Sequence, residues 1–196
     1  FFFHFRLPVG PPMSRFSQFN QPQTLLVFTT YPNPGSDIRE LNAIAWHSRK
    51  TLHALSRHRP IVVFAQKNHS PPISTDGPRI LIMRTWQPDH PLSLLTTITS
   101  ILKFNQPHTL LFQFEFNILG SFISLFTFTL MLLILKIFNK TIIFELHQVI
   151  NHIATLGPHL HLRHRLTQKI IDLGLSTFYR LIALVSSHII ILEEEL

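Results

Sequence analysis

Short runs of β-branched and aromatic residues alternate with longer helix-period segments from Gln23 onward, and that alternation leaves few folds open. The runs are TLLVFTT (24–30), IVVFA (61–65), RILIMR (79–84), TLLFQFEF (109–116), TIIFEL (141–146) and HIIIL (188–192). Each is nearly continuous in apolar character, which predicts strands buried on both faces. Between the first two, Ile38, Leu41, Ala45, Leu52 and Leu55 form one helical stripe, with Asp37 as a cap and Glu40 three residues on. Further helices are predicted at 92–104, 118–138 and 166–186, the last with Ile171, Leu175, Phe178, Ile182 and Val185 at spacings of four and three. The segment 67–78, KNHSPPISTDGP, reads as a polar loop. The fold class that follows is α/β, a largely parallel sheet with helices on both faces.

With 45% apolar residues in 196, the chain can bury one sizeable core, and a single domain over 24–196 is expected. Residues 1–23 are set apart as a disordered leader, because the chain opens FFFHFRLPVGPP and its first methionine is Met13. The absence of cysteine excludes disulfides, thiolate metal sites and cysteine nucleophiles. Only 14% of residues are Asp, Glu, Lys or Arg, yet the net charge is +7, which favours anionic partners. Nucleic acid is not among those expected, since no basic and aromatic module accompanies the charge.

No GxxxxGK[ST] and no GxGxxG occurs, so neither an NTPase nor a standard dinucleotide site is supported. What stands in their place is YPNPGSD after the first run, where Gly35 and Ser36 open a helix that can face a phosphate; an ordinary turn is the other reading. His147 ends a predicted parallel strand, where open α/β sheets place their ligands. It is also one of thirteen histidines, any of which can be held by a backbone carbonyl. Gln113 and Glu115 alternate on one strand and so share a face, toward a pocket or a polar core contact. HLHLRHR (159–165) sets His161 and His164 three apart without an acidic partner, and reads as a basic solvated edge rather than a metal site.

Four of these segments, in order, resemble the N-terminal domain of family-four glycosyltransferases of the GT-B type. TYPNPGSDIRELNAIAWHSRKTLHAL is similar to the first strand, proline-glycine turn and helix; RTWQPDHPLSLLTTITSILKFNQPHTLLFQFEFNILG to the strand, helix and strand ending in a Gln-x-Glu cluster before a glycine. KIFNKTIIFELHQV resembles the lysine, apolar strand and leucine-histidine segment, and SSHIIILEEEL the strand closing that domain. The sequence departs from the pattern where Ser36 follows Gly35 in place of a second glycine and where Gln148 replaces an acid. The resemblance implies a Rossmann-like half of a GT-B fold whose C-terminal donor domain is absent, and sugar transfer from a nucleotide sugar to an acceptor hydroxyl with retention, in polysaccharide or glycolipid synthesis. It assigns His147 to catalysis, Gln113, Glu115 and Gly120 to the acceptor, and Gly35 and Ser36 to phosphate. It implies a nucleotide sugar as co-substrate, a glycan or lipid-linked acceptor as partner, and a cytoplasmic enzyme touching the inner face of a membrane; nothing in the sequence requires a metal or cofactor.

A rival expectation comes from NILGSFISLFTFTLMLLILKIF (117–138), about twenty largely apolar residues with Lys136 as the one charge. A span there gives a small, non-catalytic integral membrane protein. It would also put the strands on either side of it on opposite faces of a bilayer, which favours a buried helix.

Overall fold

A computed structural model describes residues 14–33, 43–147 and 165–192. In chain order the elements are α1 (Ser14–Ser17), β1 (Leu25–Phe28), α2 (Ala43–Ser56), β2 (Ile61–Gln66), β3 (Ile73–Thr75), β4 (Ile80–Trp86) and α3 (Pro91–Leu102). They continue with β5 (Thr109–Phe114), a 3-10 turn (Phe116–Leu119), α4 (Phe122–Ile137), β6 (Thr141–Leu146), α5 (Arg165–Val185) and β7 (Ser186–Ile191). The strands form one sheet in the order β3-β4-β2-β1-β5-β6-β7, parallel throughout except for β3, which runs antiparallel to β4.

This is the Rossmann-like α/β architecture expected of the alternating pattern. The chain starts at the centre with β1, steps outward through β2 to β4, then returns to the other side of β1 as β5 and steps outward again. Between β1 and β5 the winding reverses, and beyond the carboxyl ends of those two strands lies the crevice in which such sheets hold ligands.

Alternation along the strands divides the interior in two. Leu26, Phe28, Val62, Phe64, Leu110, Phe112, Phe114, Ile142 and Phe144 meet α3, α4 and α5. On the opposite face, Leu25, Val27, Ile61, Val63, Ala65, Ile80, Ile82 and Leu111 pack with Leu52 of α2. The first layer is unusually aromatic. Phe128 of α4 stands at 5.1–5.5 Å, ring centre to ring centre, from Phe28, Phe112 and Phe114. In α5 the predicted stripe buries Leu175, Phe178, Ile182 and Val185, while Ile171 is half-buried.

The structure departs from the expectations in four places. The loop at 67–78 contains β3, a three-residue strand too short to announce itself by alternation. β7 is not buried on both faces: it is the sheet edge, and Ile189, Ile190, Ile191 and Leu192 are exposed. Folding begins before Gln23, since Phe19 is buried in the aromatic layer and Asn20 donates to Asn105 at 2.8 Å. Finally, the apolar segment at 118–138 divides into the 3-10 turn and a sixteen-residue α4. Among the described residues no helix is long and apolar enough to cross a membrane.

Candidate functional site

Gln113 and Glu145 occupy paired positions near the carboxyl ends of the adjacent parallel strands β5 and β6. In parallel strands paired residues share a face, here the face covered by α2. The fully buried Gln113 amide donates to both oxygens of Glu145, at 3.2 and 3.3 Å. His147 follows Glu145 by two residues and therefore returns to the same face, its backbone N–H tied to the carbonyl of Phe114 at 3.1 Å. Its Nε2 lies 3.2 Å from Oε1 of Glu145, in an orientation that falls short of a hydrogen bond. From above, α2 lowers His47, whose Nε2 is 3.0 Å from the same oxygen. The two imidazole rings meet edge to face, 4.9 Å between centres.

The cluster grades from dry to open. Side-chain exposure is 7% for Glu145, 13% for His147 and 40% for His47. Burial on its own would raise the Glu145 pKa. The contacts from His147 and Gln113, with the positive potential of the two imidazoles, outweigh it and hold the carboxyl below its ordinary range. The result is an ionised carboxylate facing two imidazoles at the carboxyl ends of β5 and β6.

No family model, curated protein or solved structure matches the chain.

The expected site residues separate into three groups. His147 and Gln113 are brought together, joined by two residues that sequence reasoning missed: Glu145, a lone carboxylate in an apolar strand, and His47. An Glu-x-His spacing at a strand end was a usable signal for the first. Nothing in the chain signals His47, because it reaches Glu145 from 98 positions away. Glu115 continues the line of Gln113 but sits just beyond β5, half-buried and extended at the start of the 3-10 turn. Gly120 is held in a different surrounding, against Asp89 of the loop after β4. Gly35, Ser36, Asp37, Glu40, Gln148, His161, His164 and Glu193 to Glu195 lie outside the described residues.

Two buried cations act at the ends of the sheet. Arg84 of β4 donates to the carbonyls of Tyr31, Gln66 and Pro32 and to Oδ1 of Asn33, at 3.0–3.2 Å. The same Asn33 oxygen accepts from Asn68 at 2.6 Å and from Ser70. Arg84 thus fixes the path of the chain leaving β1 toward Gly35 and Ser36. Its burial lowers its pKa. Lys140, the lysine of the third resembling segment, is at the opposite end of β6 from His147, where it donates to the Phe104 and Pro107 carbonyls. Its place is structural.

Proposed function

We propose that this chain is the acceptor-side domain of a glycosyltransferase of the GT-B type, moving a sugar from a nucleotide-activated donor to an acceptor hydroxyl. The observation that carries this reading is the meeting of His147 with Glu145 and Gln113 at the carboxyl ends of neighbouring parallel strands, beside the point where the sheet reverses its winding. Sugar transfer needs groups that hold hydroxyls in place and tolerate charge developing on them. An imidazole beside a fixed carboxylate suits both: its nitrogens exchange hydrogen bonds with hydroxyls, and the carboxylate sets negative potential next to them. His47, on the open side of the cluster, adds a second such group within reach of an entering hydroxyl. The half-buried Glu115 supplies an acceptor of hydroxyl hydrogen bonds on the same face. Retention, and a place in polysaccharide or glycolipid synthesis, belong to this proposal through the sequence resemblance alone.

The test is turnover of the intact protein with a panel of nucleotide sugars, measured with and without glycan acceptors. Replacing His147 by Ala is expected to lower turnover at least about tenfold, equivalent to about 1.4 kcal/mol of transition-state stabilisation. Its far-ultraviolet circular dichroism should stay unchanged. A variant that turns over at the native rate removes His147 from the chemistry.

A further inference from the structure

We propose that His47, Glu145 and His147 bind a divalent transition-metal ion, zinc foremost, in a site open toward solvent on the His47 side. The inference goes beyond sugar transfer and uses the same residues: a bound ion would take the imidazole nitrogens which that reading gives to hydroxyls.

The donor set comes first. Two imidazole nitrogens and one carboxylate oxygen hold zinc with a position left for water or substrate, and the same set suits ferrous iron. In this chain the set converges from α2 and the carboxyl end of β6, with all three ligand atoms within 4.8 Å of one another.

Distances decide whether convergence amounts to a site. A metal about 2.1 Å from each donor separates neighbouring donors by about 3.0 Å in octahedral and about 3.4 Å in tetrahedral coordination. Glu145 Oε1 is 3.0 Å from His47 Nε2 and 3.2 Å from His147 Nε2, so two of the three separations already match. The remaining one, between the two imidazoles, is within 4.8 Å, and shortening it would take His47, 40% exposed, away from its 3.2 Å contact with the Thr51 hydroxyl.

Satisfaction of polar atoms supplies an independent argument. Nε2 of His147 is buried and has no hydrogen-bond partner among the described residues, although it faces a carboxylate at close range. The 3.2 Å ion pair with Glu145 compensates its desolvation only in part, because no well-aligned hydrogen bond forms. A cation between the two imidazoles and the carboxylate supplies the missing partner. Gln113 already performs the supporting role, donating to the Glu145 carboxylate and fixing its plane as outer groups of metal sites do.

The chain's thirteen histidines make adventitious metal binding the confounder, so the experiment rests on position rather than on binding as such. Protein stripped with a chelator is titrated with zinc by calorimetry and with cobalt by visible absorption. We expect one equivalent bound at micromolar or tighter affinity, with a cobalt d–d band. His47→Ala, at a partly exposed position of α2, should weaken zinc binding at least about 100-fold and abolish the band. Glu145→Gln should do the same, whereas His188→Ala, on the exposed edge strand, should leave both signals intact. Equal zinc affinity in the native protein and in His47→Ala, or a cobalt spectrum unchanged by that substitution, would overturn the proposal. So would the absence of stoichiometric binding in the native protein. Because none of these readouts depends on turnover, failure of the metal site leaves the transferase reading standing, and the reverse also holds.

Discussion

Gly120 is the centre of a tight turn in which the Ser121 N–H donates to the carbonyl of Leu119, two residues back, at 3.2 Å. Its φ of +80° and ψ of −83° belong to the strained positive-φ form of a three-residue turn, which glycine adopts and other residues avoid. Asp89, itself at φ +59°, lies so close that a Cβ at position 120 would overlap its carboxylate. Gly120→Ala therefore meets two separate penalties, one in the backbone and one steric. We expect a stability loss of about 1–3 kcal/mol in urea denaturation. Adding Asp89→Ala should recover the steric part and leave the backbone part, a double-mutant cycle that apportions the two. The sequence resemblance drew attention to this glycine without its reason, which lies in a loop 31 residues earlier in the chain, at Asp89. His147 and Gln113 were legible for a simpler cause: each sits at or near the end of an apolar strand, and strand ends in parallel sheets face the ligand crevice. Their partner His47 was not, because a contact between a helix and a distant strand leaves no trace in local spacing.

At the level of elements, α4 explains why a segment that reads like a membrane span belongs to a folded domain. Sixteen residues rise about 24 Å, less than the roughly 30 Å of a bilayer's hydrocarbon. One side of the helix buries Phe128, Met131, Leu132 and Leu135 against the sheet; Ile123, Phe126 and Leu130 remain exposed. The two faces make opposite predictions. Phe128 is central to the aromatic layer, so Phe128→Ala should lower stability by about 3–5 kcal/mol, a large share of the roughly 5–15 kcal/mol that a domain has. Phe126→Ser, on the exposed side, should stay within about 0.5 kcal/mol. Urea midpoints at constant slope measure both, and comparable losses from the two variants would mean that the exposed face is covered. The helix itself was legible from its continuous apolar run, whereas its division into a 3-10 turn and α4 depended on Gly120. β7 shows the reverse difficulty. Its composition is that of a central strand, and composition does not disclose that the sheet ends there.

Across the whole molecule, stability against pH depends in part on a network joining β1, α2 and the loop before β4, alongside the depressed carboxyl of Glu145. Asp76 accepts from the Tyr31 hydroxyl at 2.9 Å and from Arg49 at 3.2 Å, and contacts His53 at 2.9 Å. Burial would raise the Asp76 pKa, but the hydrogen bonds from His53 and Tyr31 and the charges of His53 and Arg49 bring it below its ordinary 3.8. The folded state therefore binds this proton less readily than the unfolded chain. Its contribution is complete above 3.8 and is lost as pH falls through the lower, folded value. Tyr31 works in the opposite sense. Burial, then the charge and hydrogen bond of Asp76, push its pKa well above the ordinary 10.0, so the unfolded chain ionises first. That contribution is complete below 10.0 and diminishes as pH rises beyond it. A melting temperature measured across pH should accordingly fall at both extremes. Asp76→Asn should make the acid limb shallower, with Glu145 supplying what slope remains, and leave the alkaline limb sloping, since burial alone still raises Tyr31. Tyr31→Phe should flatten the alkaline limb. It should also make the acid limb shallower, because Asp76 then loses one of the two hydrogen bonds that hold its pKa down. Limbs that keep their slopes in both variants would place the control of pH stability outside this network.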